Sequence, residues 1–207
     1  PIEFRLMNAV EQGDANMMGA PYNRIGLHEC LEVARNHEHY KSAVADGVGR
    51  GVAMGYWINA GMQSSATLNV IADGHVAILT GSPDIGGSRA SMALMASEVL
   101  GIPFEQIHPQ VAATDAVGHT DLTGGSRTTL ATGQAVIQAA EQCVSELCRR
   151  AAEEWEVEPG VVTWSQGAAH YGDQSLTFEE LASRAGAMGG PLTFSSSLSS
   201  TLSLIHI

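Results

Sequence analysis

The chain is poor in lysine: Lys41 is the only one among 10 basic residues, and 22 acidic residues leave a net charge of −12. That balance excludes the basic surface on which nucleic-acid binding depends, and leaves small molecules and proteins as partners. Positive charge rests on arginine, whose planar, bidentate guanidinium suits phosphates and carboxylates, although GC-rich codon usage accounts for the bias equally well. Cysteine is scarce too. Cys30, Cys143 and Cys148 are too few and too scattered for a disulfide framework or an iron–sulfur ligand set. Thiols in a reducing compartment are the default, so a cytoplasmic location is expected, with the periplasm as the alternative. No stretch approaches the about 20 apolar residues of a membrane span, and no charged-then-apolar leader opens the chain. The sequence also lacks a P-loop, a G-x-G-x-x-G fingerprint and a G-x-S-x-G elbow around Ser88 or Ser126.

What is present, at 207 residues and 44% hydrophobic content, is enough for a real core. Both ends are unusual. The chain opens at Pro1, directly in an amphipathic segment, as if cut from a longer protein, and closes on "TFSSSLSSTLSLIHI", rich in serine and without charge. The last six residues resemble a translated sequencing-adapter scar. Residues 1–192 are therefore read as the natural segment, and 193–207 as a non-native tail outside the fold.

The pattern between the ends mixes strands and helices. "IGLHECLEVARNHEHYKSAV" has helical spacing, with His28, His37 and His39 on a polar, solvated face. "RGVAMGYWINAG", "SATLNVIADG" and "HVAILTG" read as strands, the last two joined by a tight turn at Ala72-Asp73-Gly74. Met92, Met95, Ala96 and Val99 repeat as a helix that Gly101 ends, and Pro109 marks the next strand as an edge. A long helix runs through Ala135, Ala139, Cys143, Leu147 and Ala151 to near Trp155. A hairpin around Gly167 follows, then a helix with a capping box of Thr177 and Glu180. The fold class is α+β, with mixed and antiparallel strands and flanking helices.

One tetrapeptide, Gly-Gly-Ser-Arg, occurs at 86–89 and again at 124–127, each time before a helix. Glycine permits positive φ and close backbone approach, and the free N–H groups of a helix start suit an anion such as phosphate. Arg89 and Arg127 would add charge-assisted hydrogen bonds. On spacing alone, two ordinary structural turns explain the repeat as well. Asp115, His119 and Asp121 lie close in sequence but match no closed metal-ligand pattern.

The order of features carries a resemblance. "GSPDIGGS", "ASEVLGIPFEQI", the "TD" pair, "TGGSRTT" and "GQAV" follow one another as in the molybdenum-cofactor-binding large subunit of the xanthine dehydrogenase/aldehyde oxidase family, and "PIEFRLMN" resembles that family's segment at the start of the match. The resemblance implies that both turns line a molybdenum–molybdopterin cofactor, in its plain or cytosine dinucleotide form. Gly86, Gly87 and Ser88 stand at the family's Gly-Gln-Gly, so Gly87 replaces the glutamine and its side-chain contact. Gly124, Gly125, Ser126 and Thr128 inherit the second loop's role, Gly125 by its backbone nearest the molybdenum, with Arg89, Arg127 and Gln134 completing the candidate set. The implied reaction is hydroxylation of an aldehyde or N-heterocycle, with water as oxygen source.

The same resemblance implies [2Fe–2S] clusters and FAD on other domains or subunits, hence a hetero-oligomer acting on a small-molecule substrate. The family's catalytic glutamate falls outside this chain, so no catalytic residue is assigned, and Glu98, Glu105 and Glu141 read as surface positions. The alternative is a non-catalytic binding or assembly module holding a phosphorylated pterin. As a piece without its neighbours, the chain is expected to have poor independent stability.

Overall fold

The computed structural model describes every residue except Met18, Thr201, Leu202 and Ile207. It divides into two compact units, residues 1–59 with 203–207, and residues 60–202.

The first unit contains three helices, α1 (Ile2–Met7), α2 (Leu27–Asn36) and α3 (Glu38–Lys41), and a strand pair, β1 (Tyr56–Asn59) with the chain's last strand (Ser203–His206). Its small core includes Ile2 and Leu31. The single helix read from 25–44 is broken at His37, whose extended backbone and ring Nδ1, accepting from His39 N at 3.1 Å, start a new turn. His37 serves as a cap and His39 is exposed, whereas His28, expected on the solvated face, is half-buried with its Nε2 out of contact with solvent. Of "RGVAMGYWINAG", only residues 56–59 form a strand.

In the second unit, β2 (Met62–Val70), β3 (Val76–Thr80) and β4 (Ile107–Val111) share one sheet. The predicted hairpin joins β2 to β3: Gly74 takes φ +85°, Ile71 N donates to His75 O, and Asp73 Oδ1 accepts from His75 N. Helix α4 (Ser88–Leu100) connects β3 to β4, which pair in parallel, with β4 on the outer edge as Pro109 requires. Helix α5 (Gly133–Glu154) packs against α4 and lies on β2. Half of its buried residues are alanine (Ala135, Ala139, Ala140, Ala151, Ala152), which lets the helices approach closely. At their contact, a Cβ on Gly133 would lie 2.5 Å from Met95 Sδ.

A three-stranded sheet, β5 (Thr163–Ser165), β6 (Ala168–Tyr171) and β7 (Gln174–Thr177), docks on the end of α4. Trp164 Nε1 donates to Leu100 O at 3.0 Å, occupying a carbonyl that the helix end leaves without an intrahelical partner. Two glycines meet there: a Cβ on Gly101 would stand 2.4 Å from Gly167 N. Helix α6 (Phe178–Ser183) follows with the expected Thr177/Glu180 capping box complete.

The structure differs from the expectation that the fold ends at residue 192. Leu192–Ser200 is strand β8, the other edge of the sheet, antiparallel to β2 from Leu192 opposite Val70 to Ser200 opposite Met62. The reason is a period of two: Leu192, Phe194, Ser196 and Leu198 alternate toward the core, a pattern that the abundance of serine obscures in the sequence.

Candidate cofactor site

The first Gly-Gly-Ser-Arg turn closes on itself. Gly86 and Gly87 take φ +103° and +104°, conformations open to glycine, and a Cβ on either would meet nothing within 4 Å. Their N–H groups, with that of Ser88, converge on Asp84 Oδ1 at 3.1, 2.9 and 3.0 Å, and Ser88 Oγ donates to the same oxygen at 3.1 Å. Arg89 Nε donates to Oδ2 at 2.8 Å. The Arg89 pair, followed by the N–H groups and the Ser88 hydroxyl, holds the Asp84 carboxyl far below the usual range. The donors that the sequence assigned to a cofactor phosphate are thus spent on the chain's own aspartate, and Arg89 is folded onto it.

In the second turn the glycines serve internal packing. A Cβ on Gly124 would lie 2.7 Å from Leu122 Cδ1, and one on Gly125 would lie 2.6 Å from Ala60 Cβ, where Gly125 O accepts from Ala60 N at 2.8 Å. Arg127, expected to reach a ligand, turns inward instead and is fully buried. Nε donates to Gly61 O at 2.7 Å, one terminal nitrogen to Asp121 O and Leu122 O, and the other to Gln63 O and to Ser64 Oγ at 2.6 Å. Burial lowers its proton affinity, opposed by the charge of Asp121, but a guanidinium remains the cation. Arg127 is therefore a brace that ties the second turn to the start of β2.

That brace extends as a buried chain of hydroxyls. Ser64 Oγ is hydrogen-bonded to Thr132 Oγ1 at 3.0 Å, and Thr132 Oγ1 to Ser82 Oγ at 2.7 Å. Ser82 lies two residues past the end of β3, on the segment that leads into the first turn, so the network fixes the two turns to one another. Asp121 adds a second tie: its Oδ2 accepts from Gln63 N at 2.8 Å and its Oδ1 contacts His119 Nε2 at 3.2 Å. The Gln63 N–H first, then His119, lower its pKa. Among the described residues no three His, Cys, Asp or Glu side chains form a metal cluster, Asp115, His119 and Asp121 included.

Three features set the second turn apart from the first. Ser126 takes φ +55° and Arg127 returns to right-handed helix at φ −91°, ψ −27°, the left-then-right backbone order of an anion nest. Next comes a π-helical turn, Thr128–Thr132, of the kind that recurs at functional sites. The hydroxyl oxygens of Thr123 and Thr128 are buried with no hydrogen-bond partner among the described residues. Such orphans are costly unless something completes them. Gln134 is exposed at the start of α5. The sequence pointed to Thr128, but not to Thr123, Asp84 or the Ser64–Thr132–Ser82 chain, whose members lie on three separate segments.

The second unit is thus an α+β domain in which two glycine turns are fixed to one another by a buried polar network, one of them flanked by unpaired hydroxyls. The comparisons name its kind. The chain belongs to the molybdopterin cofactor-binding domain family, whose model matches residues 27–203. It is similar to the aldehyde oxidoreductase molybdenum-binding subunit PaoC of Escherichia coli K12, 34% identical over 117 residues, covering 52% of this chain and 16% of the relative. It is 36% identical over 130 residues to xanthine dehydrogenase of Drosophila subobscura, covering 56% of this chain and 10% of that one. Quinoline 2-oxidoreductase from Pseudomonas putida 86 shares the fold at a TM-score of 0.77 and 18% identity, over 100% of this chain and 31% of its own. The chain thus spans a sixth or less of the length of these curated relatives. No described helix is long and apolar enough to cross a membrane.

Proposed function

We propose that this chain is part of the cofactor-binding subunit of a molybdenum hydroxylase that converts an aldehyde or N-heterocycle to its hydroxylated product, taking the oxygen from water. Substrate and water yield product, two protons and two electrons, and the electrons leave through [2Fe–2S] clusters and FAD on other domains or subunits of a hetero-oligomer. The observation that carries this reading is the pair of buried, unpaired hydroxyls of Thr123 and Thr128 on either side of the Gly124–Arg127 turn.

The fit to the cofactor is uneven. The second turn offers the nest of Ser126 and Arg127, the backbone of Gly124 and Gly125, the hydroxyls of Thr123 and Thr128, and the amide of Gln134. The first turn offers no comparable donors, because Asp84 holds them. Bound molybdopterin would supply the metal centre that accepts the two electrons. The chain's own task is orientation: Arg127 and the Ser64–Thr132–Ser82 hydroxyls hold the second turn rigid, so that its donors face the ligand without reorganising. Glu98, Glu105 and Glu141 are exposed. None is assigned as the general base, which we place elsewhere in the subunit.

The test is to purify the full-length subunit with its partners, measure molybdenum and pterin, and assay aldehydes and N-heterocycles in ¹⁸O-labelled water. The reading expects both molybdenum and pterin, with label in the product. A folded protein holding pterin without turnover of either class would favour the non-catalytic module, and one holding neither would remove the reading altogether.

A further inference from the structure

We propose that Asp84 is the resident anion of the first Gly-Gly-Ser-Arg turn: its carboxylate fills the seat at the N-terminus of α4, and Arg89 locks it there, so the turn rejects external anions. Three consecutive backbone N–H groups and one hydroxyl on a single carboxylate oxygen, between 2.9 and 3.1 Å, satisfy the donors that a phosphate would otherwise use. The guanidinium on the other oxygen, at 2.8 Å, neutralises the remaining charge. A phosphate approaching α4 therefore meets a negative group in possession of the site.

The glycines fit this role. Both Gly86 and Gly87 take positive φ, and that conformation is what turns the N–H groups back onto Asp84. Ser88, buried at the helix start, is fixed in the same act: its Oγ donates to Asp84 and accepts from Ile85 N at 3.4 Å. The two copies of the tetrapeptide then divide the work. The first pins α4, and the second is left to meet a charged ligand. That last consequence rests on the functional reading above; the self-capping of the first turn does not.

The proposal is tested in the full-length protein by hydrogen–deuterium exchange of peptides covering residues 85–90, with inorganic phosphate and acetate as probes. Wild type is expected to exchange slowly and to ignore both anions. D84A is expected to exchange at least about tenfold faster at these amides, and to be slowed back toward wild type by either anion, since the emptied seat accepts them. D84S removes the charge and leaves a hydroxyl one bond too short to fill the seat, and gives the same phosphate response should the alanine variant not fold. Protection of the wild-type peptide by phosphate would overturn the proposal. So would D84A and D84S peptides that exchange faster and are not rescued. Molybdenum and pterin content, measured on the same samples, reports separately on the cofactor reading.

Discussion

Replacing Arg127 tests whether the second turn is built from within. The side chain is fully buried and donates to the carbonyls of Gly61, Gln63, Asp121 and Leu122 and to Ser64 Oγ. Arg127→Met keeps much of the volume and removes every one of these bonds. The Asp121 and Leu122 carbonyls lie in a loop that water can reach after a small opening, whereas Gly61 O and Ser64 Oγ face the interior. Counting the Gly61 carbonyl and the Ser64 hydroxyl, each losing its Arg127 donor, at about 1–3 kcal/mol each, the expected loss is about 2–6 kcal/mol. Arg127→Lys keeps the charge and up to three donors but cannot reproduce the fork, and is expected to cost about 1–3 kcal/mol. Urea unfolding followed by the fluorescence of Trp155 and Trp164, both in the same unit, measures the loss. Hydrogen exchange over residues 121–128 should rise in step. If Arg127→Met unfolds at the wild-type midpoint and leaves that exchange unchanged, Arg127 is not the brace described here, and its assignment as a ligand contact would return.

Gly101 and Gly133 separate two kinds of close approach. Gly101→Ala puts a Cβ 2.4 Å from the backbone N of Gly167 at φ +69°, so about 2 kcal/mol or more should be lost in thermal unfolding. Gly133→Ala meets only the mobile end of Met95 and gains helix propensity, so its cost should stay within about 1 kcal/mol. Glu146 gives a pH dependence. Arg149, then Arg150, hold its carboxyl down to about 2 against an ordinary 4.5, with Arg150 also donating to Gly190 O at 2.8 Å. The folded value lies below the unfolded one, so this stabilisation is complete above pH 4.5 and is lost as the pH falls toward 2. In Glu146→Gln the acid limb of the stability curve should flatten over that window.

Periodicity made most of the fold legible in the sequence. The α5 face, the α4 stop at Gly101, the Asp73-Gly74 turn and the Thr177 cap all depend on neighbours within a few positions. What failed to show depends on long-range partners or on side-chain direction. Strand β8 takes its sense only from pairing with β2, more than 120 residues earlier in the chain. Its serines read as a flexible tail because the alternation of Leu192, Phe194 and Leu198 is weak without the sheet. The adapter-like reading of the last six residues stands as a proposal that the source gene's sequence tests. The family was legible, but the partners of the two arginines were not. Identical tetrapeptides send Arg89 to a carboxylate five residues before it and Arg127 into the interior, and the deciding partners, Asp84 in one case and Gly61 with Ser64 in the other, lie outside the motif.

Thr128→Val isolates the central claim, because it removes the unpaired hydroxyl while keeping shape. Without cofactor, the variant should be as stable as wild type or about 1 kcal/mol more so, since a buried orphan is removed. If the second turn holds molybdopterin, the same change deletes a hydrogen bond, and cofactor should be retained about tenfold more weakly, near 1.4 kcal/mol. The measurement is pterin and molybdenum retained per full-length subunit through graded dialysis, wild type against variant. Weakened retention in an equally stable protein is the predicted result; a variant that keeps both as tightly as wild type would contradict the placing of the cofactor at this turn.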